Sequence, residues 1–256
     1  MPNRDRIMAV VPAKDEAPVI ARVVTDLCAL RDATGAAIFD RVVVCDNGSH
    51  DSTGLIAEQA GARVVVESQA GYGAACLCAL SEVRDSDVVV FVDADGSVSP
   101  NDIPRLLMKI ESGNELVIGV RTAARREPGA MTAPQRIGTA LVCALINLLW
   151  HCDMRDVGPL RAIRLSALDT LQMHDRAYGW TVEMQVKALQ HKMRIAQVDV
   201  NCRRRIGQSK ISGSISGVVR AGWGMLSTIA LLARRGRETR AARVYSRTDS
   251  TTPPSR

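Results

Sequence analysis

The sequence predicts an α/β protein: a mostly parallel sheet flanked by helices, followed by a C-terminal amphipathic helical extension. Three observations lead there. Short, β-branched apolar runs alternate with stretches of helical periodicity from Ile7 to Val120. The loops rich in Asp, Asn and Gly follow strands, which puts them at the sheet edge where α/β proteins bind ligands. A chain of 256 residues buries one sizeable core with an extension rather than two full domains.

The elements follow in order. Ile7–Pro12 reads as a buried strand, and Glu16–Leu30 as a helix with Val19, Ile20, Val23, Val24 and Leu27 on one face. Arg41–Cys45 is a second strand ending at Asp46-Asn47-Gly48-Ser49, Asp51–Ala60 a short helix, and Arg63–Val66 a third strand. Gly73–Val83 is a helix entered through a Gly-Tyr-Gly turn. Val88–Val92 is unbroken apolar sequence, as in a strand covered on both faces, and it runs into Asp93-Ala94-Asp95-Gly96. Asn101–Ser112 is a helix with Pro104 in its first turn, and Leu116–Val120 a fifth strand. Beyond it, Pro134–Trp150 is a long helix with an apolar face interrupted by Asn147, Asp156–Leu160 a loop, Tyr178–Leu189 a helix and Arg194–Val200 a strand. Ser214–Ala233 is apolar and small-residue sequence with Arg220 inside it, and the Ser, Thr, Pro and Arg composition after Thr239 predicts a disordered tail.

Charge and cysteine usage narrow the function classes. The net charge of +6 gathers late, at Arg203–Arg205 and Lys210 and again from Arg234 to Arg243, which points to phosphate groups or an anionic membrane surface. No basic stripe is interleaved with aromatic residues, so nucleic acid is not expected as a partner. Seven cysteines, an odd number with no Cys-x-x-Cys pair, exclude a disulfide framework and a zinc site. They fit reduced thiols in the cytoplasm, and the first residues show no signal-peptide core.

Four motifs occupy the strand ends. Pro12-Ala13-Lys14-Asp15-Glu16 can offer backbone groups and a carboxylate to a base or ribose, although acidic residues also suit a helix start. In Asp46-Asn47-Gly48-Ser49-x-Asp51-Ser52-Thr53, Asp46 can accept from a nucleobase N–H while Asp51 or Ser52 caps the next helix. Gly71-Tyr72-Gly73-Ala74 opens a helix whose N–H groups could meet an anion or a sugar hydroxyl, or forms a plain turn. Asp93-x-Asp95, two hard oxygen donors with one residue between them, suits Mg²⁺ or Mn²⁺ carrying a diphosphate.

In that order and spacing the motifs resemble the family 2 glycosyltransferases, in particular the short branch of dolichol- and polyprenyl-phosphate sugar synthases, from about Met8 to Ala221. The resemblance implies a GT-A (Rossmann-like) fold over 1–213, with a nucleotide-sugar half (1–121) and an acceptor half (122–213). After it come an amphipathic helix (214–238) and the tail (239–256). It further implies that Pro12, Ala13, Glu16, Asp46, Gly73 and Ala94 line the nucleotide-sugar site, and that Asp93 and Asp95 hold a divalent metal. Arg204, Ser209 and Lys210, in Arg-x-x-Gly-x-Ser-Lys, would close over the phosphates. Asp156 and Glu183, in Asp-Val-Gly-Pro-Leu-Arg and Gly-Trp-x-x-Glu, stand at the acceptor elements. The chain departs from the pattern in having Lys14-Asp15 for an aromatic-Asn pair, Asn47 for a second Asp, and Gly158-Pro159-Leu160 for Ser-Gly-Phe.

The chemistry is that of a metal-dependent, inverting transfer from a UDP- or GDP-linked sugar. A leaving diphosphate needs a metal and basic groups, and Asp93, Asp95, Arg204 and Lys210 supply them. A hydroxyl acceptor needs a general base, for which Asp156 or Glu183 is a candidate, whereas a polyprenyl-phosphate acceptor is already anionic and needs none. Arg220, Trp223 and the Arg234–Arg237 cluster make the extension an interfacial helix at the inner membrane surface rather than a span. A nucleotidyltransferase is disfavoured because no Gly-rich triphosphate loop follows the first strand.

Overall fold

The computed structural model describes residues 4–206 and 221–234. Gly207, Ser209, Lys210, Arg220 and the tail 239–256 lie outside the described residues. The first half contains β1 (Ile7–Ala13), α1 (Ile20–Ala29), β2 (Arg41–Asp46), α2 (Thr53–Gln59), β3 (Arg63–Val66), α3 (Tyr72–Leu80), β4 (Val88–Phe91), α4 (Ile103–Glu111) and β5 (Leu116–Val120). The second half adds α5 (Ala133–Trp150), β6 (Arg161–Arg164), α6 (Leu165–Leu171), α7 (Trp180–Gln190) and β7 (Ile195–Asp199), and a further helix, α8, covers 221–234.

The strands form one sheet in the order β3-β2-β1-β4-β6-β5-β7. All pairings are parallel except those of β6, which runs antiparallel to both β4 and β5. The mostly parallel α/β expectation therefore holds. The strand alternation sorts side chains into two cores. Met8 and Val10 of β1 and Val89 and Phe91 of β4 face the core shared with α3, α5, α6 and α7. Ala9 and Val11 of β1 and Val88 and Val90 of β4 face the core under α1, α2 and α4. Strands covered on both faces carry unbroken apolar sequence for this reason.

Three elements differ from the sequence reading. Helix α1 begins at Ile20, not Glu16, because Asp15 has φ +46° and the Glu16 carbonyl collects the N–H groups of Val19 and Ile20 in a separate turn. Strand β6 and helix α6 were not expected. Only two apolar residues separate Arg161 from Arg164, too few for a periodic signal, and the strand is defined instead by its register, Phe91↔Arg161 on one side and Ile118↔Arg161 on the other.

Helix α8 packs on the domain through Ala221, Ile229 and Leu232, while the Gln190 side chain donates to the Leu232 carbonyl (3.0 Å). Its other face leaves Trp223, Leu226 and Leu231 exposed, and α5 likewise buries Val142, Cys143 and Ile146 but exposes Ile137, Leu141 and Leu148. Among the described residues no helix is long and apolar enough to cross a membrane.

The two faces of α5 make a stability test. Ile146 is fully buried, so Ile146→Ala should cost about 2–5 kcal/mol in urea unfolding. Leu148→Ala, at a position 71 % exposed, should stay within about 0.5 kcal/mol of the unsubstituted protein.

Candidate functional site

The loops after β1, β2, β3 and β4 converge at the C-terminal edge of the sheet, and hydrogen bonds sew them together. Ser49 Oγ accepts from the Asp15 N–H (2.9 Å), Thr53 Oγ1 from the Glu16 N–H (2.7 Å), and Asp15 Oδ1 from the His50 N–H (2.6 Å). Asn47, buried, donates to the Glu67 and Gln69 carbonyls and accepts from the Gly71 N–H (2.8 Å), fixing the loop after β3. The Asp-Asn-Gly-Ser-x-Asp-Ser-Thr segment is thus largely a structural fastener. Neither Asp51 nor Ser52 caps α2 as expected: the N-cap residue Ser52 makes no side-chain cap bond, and Asp51, one residue before it, accepts from the Thr53 N–H (3.0 Å) in a local turn. Pro12 and Ala13 are buried at the end of β1, and Ala13 is in register with Asp46. Asp46 ends β2 with Oδ1 accepting from the Ser49 N–H (2.9 Å).

Asp93 and Asp95 stand at the end of β4, with Ala94 between them buried. The Tyr72 hydroxyl donates to Asp93 Oδ1 (3.0 Å). Burial, and secondly the charge of Asp95, push the Asp93 carboxyl up to about 6. Burial, with Asp93 second, also raises the Tyr72 hydroxyl well above its ordinary value. Beneath them lies Arg161, with no exposed surface. Its Nη2 donates to the Val157 (3.1 Å) and Gly158 (2.5 Å) carbonyls, and its charge works against the upward shift of Asp93. Asp95 Oδ1 accepts from the Ser97 N–H (2.9 Å), and Asp95 Oδ2 lies 3.5 Å from Arg205 Nη1. Arg205 also pairs with Glu16.

A cavity of about 460 Å³ opens over this pair, bounded by Tyr72, Asp93, Asp95, Arg121, Val142 and Met225 among others. A second, of about 520 Å³, lies on the α1 side and shares Asp93 and Arg204 with the first. Arg204 itself donates from Nε to the Pro128 carbonyl (2.8 Å). The structure therefore brings Asp93, Asp95 and Arg204 together, with Glu16 joined to them through Arg205. Pro12, Ala13 and Asp46 lie at the neighbouring strand ends and do not line either cavity.

Three expected residues are engaged elsewhere. The Gly73 N–H is bonded to the Ala177 carbonyl (3.2 Å), and a Cβ on Gly73 would stand 2.0 Å from the Asp175 carbonyl oxygen, so the start of α3 receives protein backbone instead of an anion. Asp156, buried, takes both Arg121 Nε (2.9 Å) and Nη2 (2.8 Å) as well as the Arg121 N–H (2.9 Å). Burial pulls its carboxyl upward, but the Arg121 charge and hydrogen bonds outweigh that and hold it below its ordinary value. Glu183, also buried, accepts from the His174 and Asp175 N–H groups and pairs with Lys187 Nζ (2.7 Å). Both carboxylates hold loops in place, and neither lines the cavities.

Tyr72 and Arg121 are residues that sequence reasoning missed, and Arg205 is read there only as part of a basic cluster suited to phosphates. Tyr72 stands between two glycines that carry the turn signal, and Arg205 beside the Arg204 that the motif selects. Arg121 follows β5 with no motif to mark it.

The Asp93–Asp95 pair fits a divalent cation. Among the described residues no third His, Cys, Asp or Glu joins them, so two carboxylate oxygens would leave the remaining positions to diphosphate and water, as Mg²⁺ and Mn²⁺ prefer. A cationic side chain already rests against Asp95.

Comparison with known proteins agrees with this picture. The sequence model described as Glycosyl transferase family 2 matches residues 8–173. An uncharacterized glycosyltransferase of Mycobacterium tuberculosis is 34 % identical over 182 residues, covering 70 % of this chain and 81 % of that protein. The undecaprenyl-phosphate mannosyltransferase of Micrococcus luteus is 29 % identical over 229 residues, covering 83 % and 90 %. The Haloferax volcanii dolichyl-phosphate hexose transferase is 29 % identical, covering 81 % and 87 %. Among solved structures, glucosyl-3-phosphoglycerate synthase from M. tuberculosis, in complex with Mn²⁺, uridine diphosphate and phosphoglyceric acid, superposes with a TM-score of 0.72. It is 22 % identical and covers 90 % of this chain and 78 % of that one, a likeness of GT-A fold.

The Asp156–Arg121 pair yields a stability prediction with a definite pH sense. Asp156→Asn leaves Arg121 buried without its counter-charge and should cost about 3–5 kcal/mol at pH 7. A depressed carboxyl contributes stability above its unfolded value, about 3.9, and loses it as pH falls through the folded value. The gap between the two proteins in urea unfolding should therefore narrow at low pH.

Proposed function

The chain belongs to glycosyl transferase family 2, and on that premise we propose that it moves a hexose from a nucleoside diphosphate sugar to a polyprenyl phosphate, using Mg²⁺ or Mn²⁺ at Asp93 and Asp95. The observation that carries the donor half is the convergence of Asp93, Asp95, Tyr72 and Arg204 on one cavity at the C-terminal edge of the sheet. Bound there, the metal would neutralise charge on the leaving diphosphate. Tyr72 orients Asp93, Arg204 and Lys210 would supply positive charge toward the phosphates, and Ser209 a neutral hydroxyl donor, the last two lying beyond the described segment. Pro12, Ala13, Glu16 and Asp46 fit the base and ribose side by their place at the adjoining strand ends. The same reading divides the chain into a donor half, 1–121, and an acceptor half, 122–213.

The acceptor assignment rests on three supports. Relatives of the chain carry polyprenyl- and dolichyl-phosphate activities in their names. Asp93 and Asp95 are the only carboxylates lining the cavity of about 460 Å³ among the described residues, and Asp156 and Glu183 are committed to Arg121, Lys187 and backbone N–H groups. A phosphate oxygen needs no proton removed before it attacks the anomeric carbon, forming the new C–O bond as the bond to the diphosphate breaks with inversion. The exposed apolar faces of α5 and α8, with Ile137, Leu141, Trp223 and Leu226, suit an isoprenoid chain lying at an anionic membrane surface.

The test is a mass-spectrometric donor screen with UDP- and GDP-hexoses, a short-chain polyprenyl phosphate and Mn²⁺. A hexosyl phosphate lipid is the expected product. EDTA should silence the reaction, and Asp95→Asn should lower turnover at least about 100-fold with little change in thermal stability. Activity persisting in EDTA would contradict the metal, and transfer only to soluble phosphates or hydroxyl compounds would contradict the lipid acceptor.

A further inference from the structure

We propose that Arg205 is an internal cation standing at the metal position, and that it makes metal binding depend on the nucleotide. This rests on the donor-site reading above. Residues 201–206 lie against the loop that follows Asp95. The Ser99 N–H donates to the Asn201 carbonyl (3.2 Å), the Arg203 N–H to the Ser97 carbonyl (2.7 Å) and the Ile206 N–H to the Asp95 carbonyl (3.3 Å). This backbone strap sets Arg205 beside Asp95, the outer member of the carboxylate pair.

The choice of oxygen matters. Asp95 Oδ1 accepts from the Ser97 N–H, and Oδ2 is the oxygen nearest the guanidinium. Arg205 Nη1 sits 3.5 Å from that same oxygen, while Nη2 holds Glu16. The guanidinium, planar and permanently charged, bridges two carboxylates from different loops in a way a point charge cannot. Its Nε is buried and makes no hydrogen bond among the described residues, a donor left over in this arrangement. An unsatisfied buried donor is costly, and an oxygen-rich ligand arriving beside it relieves that cost.

A divalent cation arriving alone must displace Arg205 from Asp95 and leave the guanidinium beside it. A cation arriving with a diphosphate meets a different balance, because the phosphate oxygens offer Arg205, including its Nε, a replacement for Asp95. Metal and nucleotide therefore favour each other's binding, and the coupling is reciprocal. Arg205 is a positioning residue for the donor, distinct from the Arg204 that the Arg-x-x-Gly-x-Ser-Lys pattern selects.

The test is Mn²⁺ titration followed by electron paramagnetic resonance, with and without UDP, corrected for Mn²⁺–UDP binding in solution. It compares the unsubstituted protein with Arg205→Gln and Arg205→Lys. The unsubstituted protein should bind Mn²⁺ at least tenfold more tightly with UDP present. Arg205→Gln should bind Mn²⁺ alone at least threefold more tightly than the unsubstituted protein and show a smaller gain from UDP, with Arg205→Lys between them. Equal or weaker Mn²⁺ binding by nucleotide-free Arg205→Gln overturns the proposal while leaving the donor site standing. If circular dichroism shows that variant unfolded, Arg205→Lys decides, and an affinity equal to that of the unsubstituted protein overturns it. Absence of Mn²⁺ binding to the unsubstituted protein even with UDP overturns the donor-site reading and the proposal together.

Discussion

Two carboxylates at the end of a strand buried on both faces set the terms for everything around them. Val88–Phe91 are each buried, so the chain emerges at the sheet edge with no freedom to carry Asp93 and Asp95 away from one another. Burial of Asp93 first, and the like charge of Asp95 second, push the Asp93 carboxyl upward. The surroundings answer it with the Tyr72 hydroxyl and the buried guanidinium of Arg161 at Asp93, and with Arg205 at Asp95. Each of these comes from a different part of the chain. The site is therefore a property of the whole sheet, and its residual negative charge is what a metal–diphosphate complex would complete.

The second half is locked to the first through backbone-level contacts. The loop at 175–177 lies so close to Gly71 and Gly73 that a Cβ on either would stand 2.0 Å from a carbonyl oxygen. Glu183 holds that loop from the other side through the His174 and Asp175 N–H groups, and Thr228 of α8 donates to Asp175 Oδ2 (3.0 Å). Tyr72, between those two glycines, consequently has its position set by packing against the 175–177 loop while its hydroxyl reaches Asp93. Asp156 and Arg121 do the same work across β5. Carboxylates that look like general bases in the sequence are here the fasteners between the two halves.

What was legible in the sequence was what periodicity and strand-end loops carry. The six strands read from apolar runs are all present, and the carboxylate pair stands at the edge where the run Val88–Val92 implied. The antiparallel β6 was not legible because its identity lies in pairing partners far away in the chain, and local sequence holds only Arg-Ala-Ile-Arg. The same limit explains Arg205. A motif selects Arg204 by spacing, but which of three consecutive arginines reaches Asp95 depends on the direction of a strap fixed by Ser97, Ser99 and Asn201. Glu183 and Asp156 could not be read because a carboxylate's role is decided by who occupies its oxygens, and the occupants are backbone N–H groups and a distant arginine.

The most direct measurement is a crystal structure of the protein with Mn²⁺ and UDP, with data collected at the manganese absorption edge. The account predicts an anomalous peak bridging a carboxylate oxygen of the Asp93–Asp95 pair and the UDP diphosphate, with the uracil at the ends of β1 and β2 beside Asp46. A manganese peak remote from both carboxylates, or UDP bound away from the C-terminal edge of the sheet, would contradict it.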